Sequence, residues 1–151
     1  MRKISLLLAL FAALNGAAQA PASLELHGFQ RSSAGAAPAG TKASATVQYF
    51  IYVSTGAKVP VLVTRLWIHG QPYAFSFDKV AAPVTLDVRT APAARTDTLV
   101  RPGPYAVWAL TVGRSLRASG FPSARPEAIR IEYQYNGIRY SKTLKEFRVL
   151  E

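Results

Sequence analysis

The chain alternates apolar and polar residues over short stretches, and the alternation breaks at clusters of Gly, Pro, Ser and Asn. Leu24 and Leu26 alternate with Glu25 and His27, which predicts a first strand. "ATVQYFIYVS" (45–54) and "PYAVWALTVG" (104–113) are β-branched or aromatic on both parities, as strands covered on both faces would be. "VPVLVTRLWIHG" (59–70) and "YAFSFDK" (73–79) predict two further strands, the second with Tyr73, Phe75 and Phe77 on one face. "VTLDVRT" (84–90) sets Val84, Leu86 and Val88 against Thr85, Asp87 and Arg89. In 59–70, Leu62, Leu66 and Ile68 make the face opposite Trp67 apolar too, so this strand is covered on both sides or bulged.

The last two strands, 128–135 and 138–149, flank Asn136-Gly137, the pair that favours a two-residue type I′ turn. That turn sets Tyr135 against Ile138, Tyr133 against Tyr140, Ile131 against Lys142 and Ile129 against Leu144. Gln134–Arg139, Glu132–Ser141 and Arg130–Thr143 then pair on the opposite face, so the tyrosines and arginines separate. Parity slips before Phe147 and Val149, which predicts a bulge near Lys145-Glu146.

About eight short strands with no helical period predict an all-β fold. The expected arrangement is an antiparallel β-sandwich, similar to immunoglobulin domains in general architecture, with a small closed β-barrel as the alternative. Three stretches read as loops: 32–44, 90–104 and 113–127. The last two are long and rich in Arg and Pro, where binding residues are often carried.

The opening "MRKISLLLALFAALNGAAQA" reads as a secretory signal peptide (1–20), with Arg2 and Lys3 before an apolar stretch from Ile4 to Leu14. Cleavage is expected after Ala18 or Ala20, leaving a single domain over 21–151. The apolar stretch is too short to cross about 30 Å of hydrocarbon, so no membrane span is expected. There is no Cys to carry a lipid or a disulfide, and neither Asn15 nor Asn136 begins a glycosylation sequon. These features point to a soluble bacterial protein exported to the periplasm or beyond.

Removing Arg2 and Lys3 lowers the formal net charge from +10 to +8. A basic exported domain favours an anionic envelope polymer or an acidic face of another envelope protein. Nucleic acid is not expected, because no stacking module is evident. Arg95, Arg101, Arg114, Arg117 and Arg125 form a candidate basic rim, if both long loops reach one end of the fold. Arg65, Trp67, His69 and Phe75 form a second candidate, an aromatic platform. With a three-residue loop at 70–72, Trp67 would oppose Phe75 and Arg65 would oppose Phe77. The competing expectation is that these rings are core.

Catalytic chemistry has little to work with. Histidine occurs only at 27 and 69, so no zinc cluster, other metal site or cofactor is expected, and no nucleophile or phosphate motif is present. No two carboxylates among Glu25, Asp78, Asp87, Asp97, Glu127, Glu132 and Glu146 lie within four residues of each other. The expectation is a non-catalytic binding or accessory module of the bacterial envelope. The alternative is a small hydrolase using His69 or His27, with Asp78 as a partner for His69.

Overall fold

The computed structural model describes residues 24–34, 45–56, 59–90, 93–116 and 127–150. They form ten strands: β1 (Glu25–Ala34), β2 (Ala45–Gly56), β3 (Val61–Ile68), β4 (Gln71–Val80), β5 (Val84–Thr90), β6 (Ala93–Val100), β7 (Tyr105–Ser115), β8 (Ile129–Tyr135), β9 (Ile138–Leu144) and β10 (Arg148–Leu150). Eight of them make one sheet in the order β10-β1-β2-β7-β4-β3-β8-β9, and β5-β6 make a separate hairpin. The expected leader (1–20) lies outside the described residues, among which no helix is long and apolar enough to cross a membrane.

The β8–β9 hairpin has the expected register in all seven pairs, from Ile129↔Leu144 to Tyr135↔Ile138. Asn136 (φ 50°) and Gly137 (φ 76°) both occupy the left-handed region that a type I′ turn requires. Tyr133 and Tyr140 stack at 5.6 Å. On β3, pairing with β8 shifts between Val63 and Arg65. This bulge moves the buried set from Val61 and Val63 to Leu66 and Ile68 and leaves Leu62 56% exposed, as a bulge that shifts parity should. The doubly apolar pattern of β3 is therefore a register switch.

The sheet curls into a half-barrel. β9 and β10 lie on its opposite edges, yet only Lys145, Glu146 and Phe147 separate them. Four Cα–Cα steps span at most about 14 Å, so the edges must come together. Phe147 meets Tyr49 at 4.9 Å, and Ala128 N donates to Lys145 O at 3.1 Å. The parity slip near Lys145-Glu146 is thus no bulge. The chain leaves β8's side and crosses to β1, where β10 pairs in parallel over Phe29–Arg31. That pair also makes the sheet mixed, where antiparallel pairing throughout was expected.

Inside the curl lie Leu26, Ile51, Val53, Leu66, Ile68, Leu110, Ile129 and Ile131, all buried. On the outer face, β5-β6 covers only part of the sheet, with Leu99 and Val100 packed on Phe29, Val107 and Leu150. Residues 93–100, expected within a long loop, are strand instead. Thr96 Oγ1 donates across the hairpin to Asp87 Oδ1 at 2.9 Å, and buried Leu99 and Val100 anchor its base. The all-β class is as expected. Its layering is one large curled sheet with a hairpin laid on it, and the second sheet has only two strands.

Gly28 on β1 faces β8 and β9 across the interior. A Cβ there would collide with Ile129 Cδ1 and sit 2.8 Å from Leu144 Cδ2. Ile129 is wholly buried and has no room to withdraw. Gly28→Ala is expected to lower stability by about 1–3 kcal/mol through overpacking, read from the urea unfolding midpoint. An unchanged midpoint would mean that the curl is looser than described.

Candidate functional site

β3 and β4 begin as a tight hairpin and then part. His69 (φ 47°) and Gly70 (φ 77°) form a two-residue turn, since histidine tolerates the left-handed region better than most residues. The pairs are Ile68↔Gln71, Trp67↔Pro72 and Leu66↔Tyr73, and the remaining residues of these two strands do not pair with each other. The turn is one residue shorter than the expected loop at 70–72 and begins one residue earlier, so Trp67 opposes Pro72 and not Phe75. Just beyond Leu66 and Tyr73 the outer pairing of each arm shifts register: β3 carries an extra residue between Val63 and Arg65, and β7 carries one between Val112 and Ser115, opposite Tyr73 and Phe75 of β4. A bulge bends its strand and strengthens its twist. The β3 bulge turns that arm along β8, and the β7 bulge bends the strand that β4 follows.

A cleft of about 930 Å³ fills the fork, within the range typical of ligand sites. Leu66, Tyr73, Phe75 and Phe77 give it an apolar wall, while Trp67, Pro72 and Leu116 line its outer side. Arg65, Arg130 and Glu132 form a polar rim. Glu132 Oε1 lies 3.3 Å from Arg130 Nη2, and its Oε2 lies 3.7 Å from Arg65 Nη1. The Arg130 guanidinium sits 5.3 Å from the centre of the Trp67 ring, a cation–π contact. Arg65 is largely exposed, so its ion pair contributes only about 0–1 kcal/mol. Two guanidiniums on one carboxylate still leave N–H donors free to meet a ligand acceptor.

The structure brings Arg65, Trp67 and Phe75 of the expected platform to this cleft, with Trp67 and Phe75 on opposite faces of the sheet. His69 is elsewhere, in the turn between Tyr49 (6.4 Å) and Phe147 (5.6 Å). The expected rim residues are dispersed where described. Arg95 is on β6, 3.3 Å from Asp97. Arg101 precedes β7, its carbonyl accepting from the Tyr105 hydroxyl, and Arg114 lies near the end of β7. These two stand at opposite ends of one strand, roughly 30 Å apart by strand rise. Arg117 and Arg125 lie outside the described residues. Arg130 and Glu132 were legible as a polar face of β8, but nothing local revealed that β3 would lie beside that face.

His27 Nε2 shares a 2.9 Å hydrogen bond with Ser54 Oγ and lies 3.9 Å from Glu25 Oε2. Both partners meet the same ring nitrogen. A Ser-His-acid relay needs the nucleophile and the acid on opposite nitrogens. Asp78 accepts from Ser76 Oγ at 2.8 Å, well along β4 from the turn that carries His69. Among the described residues no three His, Cys, Asp or Glu cluster as a metal site would require. Comparison with protein-family models, characterised proteins and solved structures finds no match to this chain.

Burial lowers the His27 pKa below its usual value of 6.5, and Glu25 offsets part of that shift. The unfolded chain therefore takes up the proton first as pH falls, and stability drops through and below about pH 6.5. His27→Gln is expected to shrink the fall in urea midpoint between about pH 7.5 and about pH 5.5. An unchanged slope would show that His27 is as solvated in the folded state as in the unfolded one.

Proposed function

We propose that this chain is an exported, non-catalytic binding module of the bacterial envelope that holds a partner protein in the cleft between β3 and β4. The observation that carries this reading is the cleft: aromatic side chains along one wall, with Arg65, Arg130 and Glu132 grouped at its mouth. Apolar concavities with a few convergent polar groups are the usual form of binding sites. Glu132 and the Trp67 ring together hold the partly buried Arg130 guanidinium in place, which reduces the ordering cost on binding.

Arg101 and Arg114 are exposed and far apart, so they act through the general field of a basic protein. They draw the domain toward anionic envelope polymer or an acidic partner without forming a site of their own. A hydrolytic role for His27 or His69 has less support, because neither histidine lies in the cleft and neither is set between a nucleophile and an orienting acid.

The test is site-specific photocrosslinking in the native cells. Leu116, 44% exposed on the cleft wall, and Arg139, on the far edge strand β9, are each replaced by a photoreactive phenylalanine. The expected result is a discrete protein adduct from position 116 and none from position 139. Equal labelling from both positions, or none from either, contradicts the proposal.

A further inference from the structure

The fork is more than a concavity, because its two sides are strand edges. On β3, Val61–Arg65 pair with β8, and on β4, Phe75–Val80 pair with β7. Among the described residues no strand pairs with the backbone groups aimed into the cleft, and a ligand that presents donors and acceptors at strand spacing, about 3.3 Å per residue, would match them. A compact small molecule fills volume but matches few of them. An extended peptide matches both rows.

Resting on the binding-module reading, we infer that the cleft is a strand-acceptor site: an extended segment of the partner protein inserts between β3 and β4 and completes the sheet. Two further observations favour this occupant.

The arms of the fork are antiparallel, so the inserted strand runs parallel to one and antiparallel to the other. This sheet already accepts both modes, since β10 pairs with β1 in parallel through three residues. Finally, the faces alternate consistently. Phe75 and Phe77 point inward, where Phe77 stacks on Trp108 at 4.9 Å, while Ser76 and Asp78 are exposed on the outer face. The matching segment alternates apolar residues, directed inward beside Val63 and Phe77, with polar residues directed outward beside Leu62 and Arg65.

The probe is a panel of fluorescein-labelled nonapeptides alternating Val, Leu or Phe with Thr, titrated into the full chain by fluorescence anisotropy. Each has a twin N-methylated at alternate residues, which keeps the side chains and removes donors along one edge. At least one alternating peptide is expected to bind, with affinity falling at least about tenfold in its twin as several backbone hydrogen bonds are lost. Binding should slow amide exchange in Leu62–Arg65 and Phe75–Val80 and leave β9 unchanged. Equal binding of the twins, protection confined to β9 or β10, or no binding across the panel overturns strand addition. A position-116 adduct together with any of these results would leave the binding-module reading standing and remove only this inference.

Discussion

Lys145, Glu146 and Phe147 carry the chain from one edge of an eight-stranded sheet to the other, and the sheet has to bend to allow it. A flat sheet of eight strands would separate its edges by about 33 Å, well over twice what that connection can span. The curl also solves the burial problem of a chain whose described residues include no helix. One face closes on itself around Ile51, Leu66, Leu110, Ile129 and Ile131, with Gly28 leaving space where β1 passes closest to β8 and β9. On the other face the β5-β6 hairpin covers apolar residues of β1, β2, β7 and β10.

Bending a sheet this sharply concentrates twist where neighbouring strands disagree in direction. The bulges on β3 and on β7, level with the parting of β3 and β4, are such a place. They let β3 follow β8 and β4 follow β7, so the cleft and the closure of the core have one origin. A second, smaller parting lies between β2 and β7, which pair only over Ile51–Gly56 and Tyr105–Leu110. It lacks the guanidinium rim. The β3–β4 fork is distinguished by the cross-strand grouping of Arg65, Glu132, Arg130 and Trp67, which only the β3–β8 pairing assembles.

What the sequence made legible was local. Asn136-Gly137 specified the β8–β9 register residue by residue, because a two-residue turn leaves no freedom in the pairing. The doubly apolar pattern of 61–68 carried the bulge. Strand β6 was hidden because Pro92, Ala93 and Ala94 resemble loop, while its pairing with β5 depends on Thr96, Leu99 and Val100. The crossing to β10 was hidden because a parity slip looks the same whether a strand bulges or changes partner.

Trp67 changed neighbours because the turn is one residue shorter and begins one residue earlier than expected, and alternation alone defines neither. The basic rim required the stretches on either side of β7 to meet, yet segments flanking one strand leave it by opposite ends. That much was implicit as soon as 104–113 was read as a strand. The strand order, and with it the neighbour of the Arg130–Glu132 face, rests on long-range pairing that no short window of sequence encodes.

Beyond Leu66 and Tyr73, β3 and β4 do not pair with each other. Residue-resolved amide exchange on the ligand-free protein measures this directly. About half of the amides in Val61–Arg65 and Phe75–Val80, those on the cleft side, should exchange fast, while Arg130–Tyr133 of β8, paired on both sides, exchange slowly. Uniformly slow exchange along both arms, matching β8, would show that the hairpin zips closed and that the cleft does not exist.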